Sequence, residues 1–238
     1  MRRFYAAVTV GPSEDGHAVL LDGKPVRTPA RRALRLPCAP LAEAVAAEWR
    51  EQGETLDTDG MRLTRLATTV VDLMPARRAD AIAEAAAFAG TDLLCYRAAA
   101  PAGLAARQAA AWQPWLDWAE RRFDAHLVPV AGVMPVIQPA AALRALEAAV
   151  ARLDDWRLVG LHAAVTLLGS LVLGLALEQG EADADRLLDT ALLDELFEIE
   201  QWGTDAEQTK RHERLRADLR AAERFLKLLR APASVPAG

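Results

Sequence analysis

The chain has 238 residues, 52% of them hydrophobic and 26% charged, with a formal net charge of −5. That composition excludes a disordered polymer, and its acidic balance argues against a general nucleic-acid binder. Two isolated cysteines, Cys38 and Cys95, lack CxxC or zinc spacing, which points to a reducing, cytoplasmic setting.

Along the chain, Arg3 to Val10 alternates in the manner of a strand. Asp15-Gly16 and Asp22-Gly23 are hairpin signals on either side of the apolar run Ala18 to Leu21. Lys24 to Thr28 and Leu34 to Leu36 predict two further short strands, each followed by a proline, Pro29 or Pro37. A small β-rich domain over 1–38 follows, with about residue 70 as the alternative boundary. Residues 39–230 then read as a larger all-helical domain, and 231–238 as a disordered tail. The fold class is therefore α+β.

Within the helical part, Leu41, Val45 and Trp49 line one face of a helix that Pro40 opens and Gly53 ends. Ala79 to Ala89 predicts a second helix. Ala102 to Phe123 predicts a third, with Pro114 as a kink or a new start. Trp112, Trp115 and Trp118 share a broad face and read as core. Ala140 to Leu153 follows, then Leu158 to Leu177, twenty residues without a formal charge. That run is long enough to span a bilayer, but His162, Thr166, Ser170 and three glycines weigh against it. The expectation is a buried, apolar central helix and no stable membrane insertion. Ala184 to Trp202 predicts one more helix, and the last starts at Thr204, with a stripe from His212 to Leu229 facing the bundle.

Catalytic signatures are missing. There is no phosphate-binding glycine loop and no GxSxG elbow, and His17, His126, His162 and His212 are scattered without metal-ligand spacing. The expectation is no enzyme, no catalytic residue, no cofactor and no metal. His162 and His212 read as structural. Lys24, Arg27, Arg31, Arg32 and Arg35 form a basic run without interleaved aromatics, better suited to solvent or a protein than to nucleic acid.

The least ordinary stretch is Asp194 to Glu207. Leu192, Leu193, Leu196, Phe197 and Ile199 share one apolar arc, with Asp194 and Glu198 opposite. Glu200 falls inside that arc and Glu195 on its edge, beside Trp202. Gly203 stops the helix, and Thr204 to Glu207 reads as a capping box. A carboxylate on an apolar face must be paired. Glu200 therefore either meets an arginine within the fold or faces a partner. The candidate partner-binding residues are Glu195, Glu198, Glu200, Trp202, Asp205 and Glu207. An enzyme or small-molecule binder using Glu195, Glu198 and Glu200 is the alternative, and would show a deep pocket and a raised carboxyl there.

Taken in order, several motifs resemble one family. They are Arg3-Phe4-Tyr5, Leu21-Asp22-Gly23-Lys24, Ala47 to Gln52, Leu63 to Ala67, Thr91 to Ala98, Gly169 to Leu173 and Gln201 to Glu207. Together they resemble the chaperones named after yeast ATP-synthase assembly factor twelve, which handle the alpha subunit of the F-type ATP synthase. The resemblance implies a small β domain joined to a helical domain. It also implies a chaperone that binds the unassembled alpha subunit, stops its aggregation and releases it to the beta subunit. Phe4 lies too near the start for a transit segment, so the expectation is a bacterial, alphaproteobacterial-type, cytoplasmic member, working as a monomer.

Overall fold

The computed structural model describes residues 1–132, 134 and 136–230; the tail expected over 231–238 lies outside them. The architecture is α+β, with a small amino-terminal sheet and a larger helical part. Strand β1 (Val8–Ser13) pairs antiparallel with β2 (Gly16–Leu21). The other edge of β2 takes two short strands, β3 (Lys24–Pro25) and β4 (Arg35–Leu36). The Asp22-Gly23 turn forms as expected, both residues with positive φ, the two-residue hairpin geometry that such a pair favours. At the first hairpin the turn residues are Glu14-Asp15, and Gly16 already pairs with Ser13.

The expected strand at Arg3 does not form. Arg3 to Tyr5 turns onto helix α1 (Ala39–Arg50) instead: Arg3 N donates to Glu54 O at 2.8 Å, and the Tyr5 hydroxyl to Trp49 O at 2.6 Å. Pro40 sits in the first turn of α1, where its missing N–H costs nothing. The face bearing Leu41 and Val45 is buried, and α1 packs on β1 and β2.

Helix α2 (Arg62–Ala87) is longer than its sequence suggests, because Pro75 lies inside it. A proline there leaves the carbonyl four residues earlier, Val71 O, without its helical donor. Arg32 of the sheet region fills the gap, its Nη1 donating to Val71 O at 2.8 Å. Next to it, Asp72 accepts from the Thr28 hydroxyl at 2.6 Å and from Ala30 N at 3.0 Å. The proline thus marks where the β3–β4 loop is tied to the helical part.

Helix α3 (Ala102–Phe123) runs through Pro114 and buries Trp112 and Trp115, while Trp118 is half-buried. A two-stranded parallel ladder, β5 (Tyr96–Arg97) with β6 (Val130–Ala131), brackets α3 and has no counterpart in the sequence reading. Helix α4 (Ala140–Ala151) follows. The expected central helix over Leu158 to Leu177 is broken into α5 (Asp155–Leu168) and α6 (Leu171–Gln179); α6 is buried, whereas α5 leaves His162 half-buried and Thr166 exposed. Gly169, at φ +64°, ends the first, and the Ser170 hydroxyl caps the second by accepting from Leu173 N at 3.1 Å. No helix among the described residues is long and apolar enough to cross a membrane.

The break lets α6 fold back on α5, and the contact is too close for side chains. A Cβ on Gly174 would run into Val165, and one on Gly160 would lie 2.7 Å from Leu226 of the last helix. Fully buried Asp92 joins the break to the rest, its carboxylate accepting from Leu94 N and Val172 N, both at 3.1 Å. Burial pushes this carboxyl up to about 6, against the hydrogen bonds from the Ser170 side chain and the backbone.

The helix expected over Ala184 to Trp202 is also two, α7 (Ala184–Ala191) and α8 (Leu193–Trp202). Helix α9 (Ala206–Arg230) closes the bundle. Buried apolar residues of the sheet, such as Val19 and Leu36, belong to one connected cluster with those of α1 to α7 and α9.

Candidate functional site

The acidic corner is built on α8 and the start of α9. None of the ten residues of α8 is buried; the arc from Leu193 to Ile199 is only half-covered. Polar contacts hold it instead. Asp194, expected to face solvent, accepts from Gln108 Nε2 of α3 at 2.6 Å. Gln108 is fully buried, and its Oε1 accepts from Ala98 N at 2.6 Å, so a single amide joins the residue after β5 to α8. Its position on the face between Leu104 and Trp112 was the available signal: a polar residue on an apolar stripe needs partners for both ends of its amide.

Glu195 faces α9. Arg211 Nη1 lies 2.6 Å and His212 Nε2 2.8 Å from its carboxylate. Partial burial pushes the Glu195 carboxyl up, but the hydrogen bonds and charges of His212 and Arg211 outweigh it and hold it below the usual carboxylate range. His212 is thus structural as expected, with Glu195 as its partner. Glu200 faces the opposite way, toward α3, and accepts from Arg107 Nη1 at 2.6 Å. The Arg107 guanidinium also lies 5.1 Å from the centre of the Phe197 ring. Of the two alternatives for Glu200, the arginine of the chain is found, but on the surface, with both side chains about half-exposed. His162, by contrast, is no core residue: it is half-exposed and lies 3.2 Å from Glu84.

At the corner itself, Gly203 stops α8 at φ +82°, and Trp202 is left 87% exposed. The cap of α9 sits one residue later than expected. Asp205, not Thr204, accepts from Gln208 N, at 2.7 Å. Glu195, Asp205 and Glu207 line one open groove of about 640 Å³ with Arg211, Arg214 and Asp218. Trp202, Glu198 and Glu200 lie outside it, so the six candidates form two flanks and a tip rather than one patch. Glu198 and Glu207 are exposed and make no ion pair among the described residues.

This arrangement suits reversible contact with a polypeptide better than acid–base chemistry. The Glu195 carboxyl is lowered, whereas a general acid would be raised. Asp92, the carboxyl that burial raises, is enclosed in the fold, away from the corner.

A family model described as "ATP12 chaperone protein" matches residues 2–120. The crystal structure of Atp12 from Paracoccus denitrificans is 42% identical to this chain, with a TM-score of 0.91 over 96% of this chain and 98% of that one. A mutant of the same Paracoccus protein matches equally well. A protein from Agrobacterium tumefaciens, described as a candidate chaperone, is 38% identical, with a TM-score of 0.92 over 96% of this chain and 86% of its own. The family model ends inside α3, whereas the structural likeness takes in 96% of the chain.

Proposed function

This chain belongs to the ATP12 chaperone family, whose role is in ATP synthase assembly, and we propose that its client is the unassembled alpha subunit of the F-type enzyme. It binds that subunit, keeps its assembly surface from aggregating, and releases it as the beta subunit arrives. It works in the cytoplasm, as a monomer, without a cofactor and without a catalytic step. The observation that carries the choice of site is Trp202, a large aromatic 87% exposed at the end of a helix that buries nothing. Exposed aromatics ringed by charge are the usual anchors of protein interfaces. Glu198, Asp205 and Glu207 supply orientation for a basic client surface, and Glu195 and Glu200 add charge while holding α8 in place. Contacts of this polar kind can be exchanged for a better partner without ATP.

Light scattering of purified alpha subunit, with and without an equimolar amount of this chain, tests the reading. Suppressed aggregation that reverses into soluble alpha–beta complex on adding beta subunit is the expected result. Unchanged alpha-subunit aggregation, or protection of beta in its place, would overturn it.

A further inference from the structure

A second surface, on the sheet region, has the opposite charge. We propose that the pocket between Phe4, Tyr5 and Trp49 is a docking site for an acidic polypeptide segment carrying one apolar anchor residue. This rests on the chaperone reading only in taking the partner to be a polypeptide. The pocket has a volume of about 460 Å³ and is walled by Phe4, Tyr5, Leu21, Lys24, Arg27 and Trp49. That is the size range of sites that enclose a small group.

Its walls are rigid. The Tyr5 ring stands edge-on to Trp49 at 5.7 Å and to Phe4 at 5.4 Å, and its hydroxyl is fixed on Trp49 O. Behind it, the Arg3 guanidinium lies 4.7 Å from the Tyr5 ring centre, with Nη1 donating to Gln52 O at 2.7 Å. A site so braced loses little entropy when filled. Phe4 nevertheless stays 62% exposed at the rim, an aromatic with nothing over it.

The rim charge is not neutralised from within. Lys24 and Arg27 are exposed and make no ion pair among the described residues; Arg27 Nη1 donates only to the carbonyl of Arg31, at 2.9 Å. Asp22 also lines the pocket, but its carboxylate accepts from Ala6 N and Ala7 N, at 3.1 and 2.8 Å, and so holds the hairpin. Arg31 and Arg32, later in the same loop, are exposed and likewise make no ion pair among the described residues, whereas Arg35 is paired with Glu14 and Asp15. An acidic segment complements this rim, and an aliphatic or aromatic side chain among its acids fills the aromatic slot. Nucleic acid fits less well. Tyr5 is buried and set edge-on between its neighbours, which leaves Phe4 as the exposed ring for stacking, on a chain of net charge −5.

The test is fluorescence anisotropy on the full chain with three probes: a labelled peptide of Glu and Asp with one central Phe, the same peptide with Ser for Phe, and single-stranded oligo-dT of equal length. The Phe peptide should bind about tenfold or more tighter than the other two. Lys24→Glu with Arg27→Glu, and separately Phe4→Ser, should each weaken it by about tenfold while leaving the melting temperature unchanged, since all three side chains are exposed. Equal binding of the two peptides, preference for the DNA, or wild-type binding by the charge-reversed variant would overturn the proposal. Failure of the alpha-subunit reading shows elsewhere, in loss of client protection by wild-type chain, and leaves these probe affinities untouched.

Discussion

Helices α6 and α8 are almost equal in length, nine and ten residues, and stand in opposite environments. Eight residues of α6 are buried, and none of α8. Both carry a glutamate paired with arginine. On α6, Glu178 is 1% exposed and held by Arg157, and its Oε2 has no hydrogen-bond partner. On α8, Glu200 meets Arg107 at 2.6 Å with half of each side chain in water. The same ion pair therefore has two meanings. Inside, losing one partner strands a charge without solvent; outside, water takes the partner's place. Helix α6 is fixed by what surrounds it, while α8 is tethered by replaceable contacts, which is what a surface that engages and releases a client requires.

The strongest way to break the contrast is to put a charge on α6. Leu171→Asp puts a charge at a fully buried position and should cost more than about 4 kcal/mol, leaving little soluble, cooperatively melting protein. An unchanged melt would remove α6 from the core. Arg157→Ala comes next, at about 3–5 kcal/mol, because it strands Glu178. The double change Arg157→Met with Glu178→Leu should recover most of that loss in thermal melts. On α8, the matching change Arg107→Ala should cost no more than about 1 kcal/mol.

pH sharpens the comparison through Asp92 and Glu195, whose carboxyls are shifted in opposite directions from their ordinary values. Asp92, at the start of α6, is raised to about 6 from 3.8, so the folded chain holds a proton there that the unfolded chain has released. Its effect is a gain in stability as pH falls through about 6, complete near 3.8. Glu195 is lowered, so its contribution is present above its unfolded value and lost only as pH falls further, through its folded value. The melting temperature should therefore be roughly 3–5 °C higher at pH 5 than at pH 7, and Asp92→Asn should flatten that slope whatever it does to stability overall. A slope that survives in the Asn variant would place its origin elsewhere.

The smallest effect on stability, and the most telling one for function, belongs to the exposed acids. Glu198→Lys breaks no contact and should melt within about 1 °C of wild type, while lowering alpha-subunit capture. Glu195→Lys faces Arg211 and His212, so it should lose about 1 kcal/mol as well as capture. If both variants protect the alpha subunit as wild type does, the corner is not where the client binds.

What the sequence determined by itself is whatever a few neighbouring residues encode. The Asp22-Gly23 hairpin, the start of α1 at Pro40 and the burial of α6 all follow from turn chemistry or from an apolar run of a dozen residues or more. The limits of α3 follow in the same way. The candidate set, five acids and Trp202, was chosen in the same terms, from acids out of place on a helix and the capping box after it. Which acids of α8 were already partnered was not legible. Glu200 finds Arg107 from 93 residues away, and Asp194 finds Gln108 from 86. Only packing α3 against α8 brings them together. The same holds for α2, where Pro75 should have ended the helix. Arg32, from the other part of the fold, supplies the hydrogen bond that the proline took away. Likewise the uncharged run breaks at Gly169-Ser170 because Asp92, distant in sequence, meets the new helix start with its carboxylate. Local pattern sets where a helix can form and which face it buries. The partners of its polar groups are decided by tertiary structure, because a buried donor or charge must be satisfied by whatever residue the fold brings within about 3 Å.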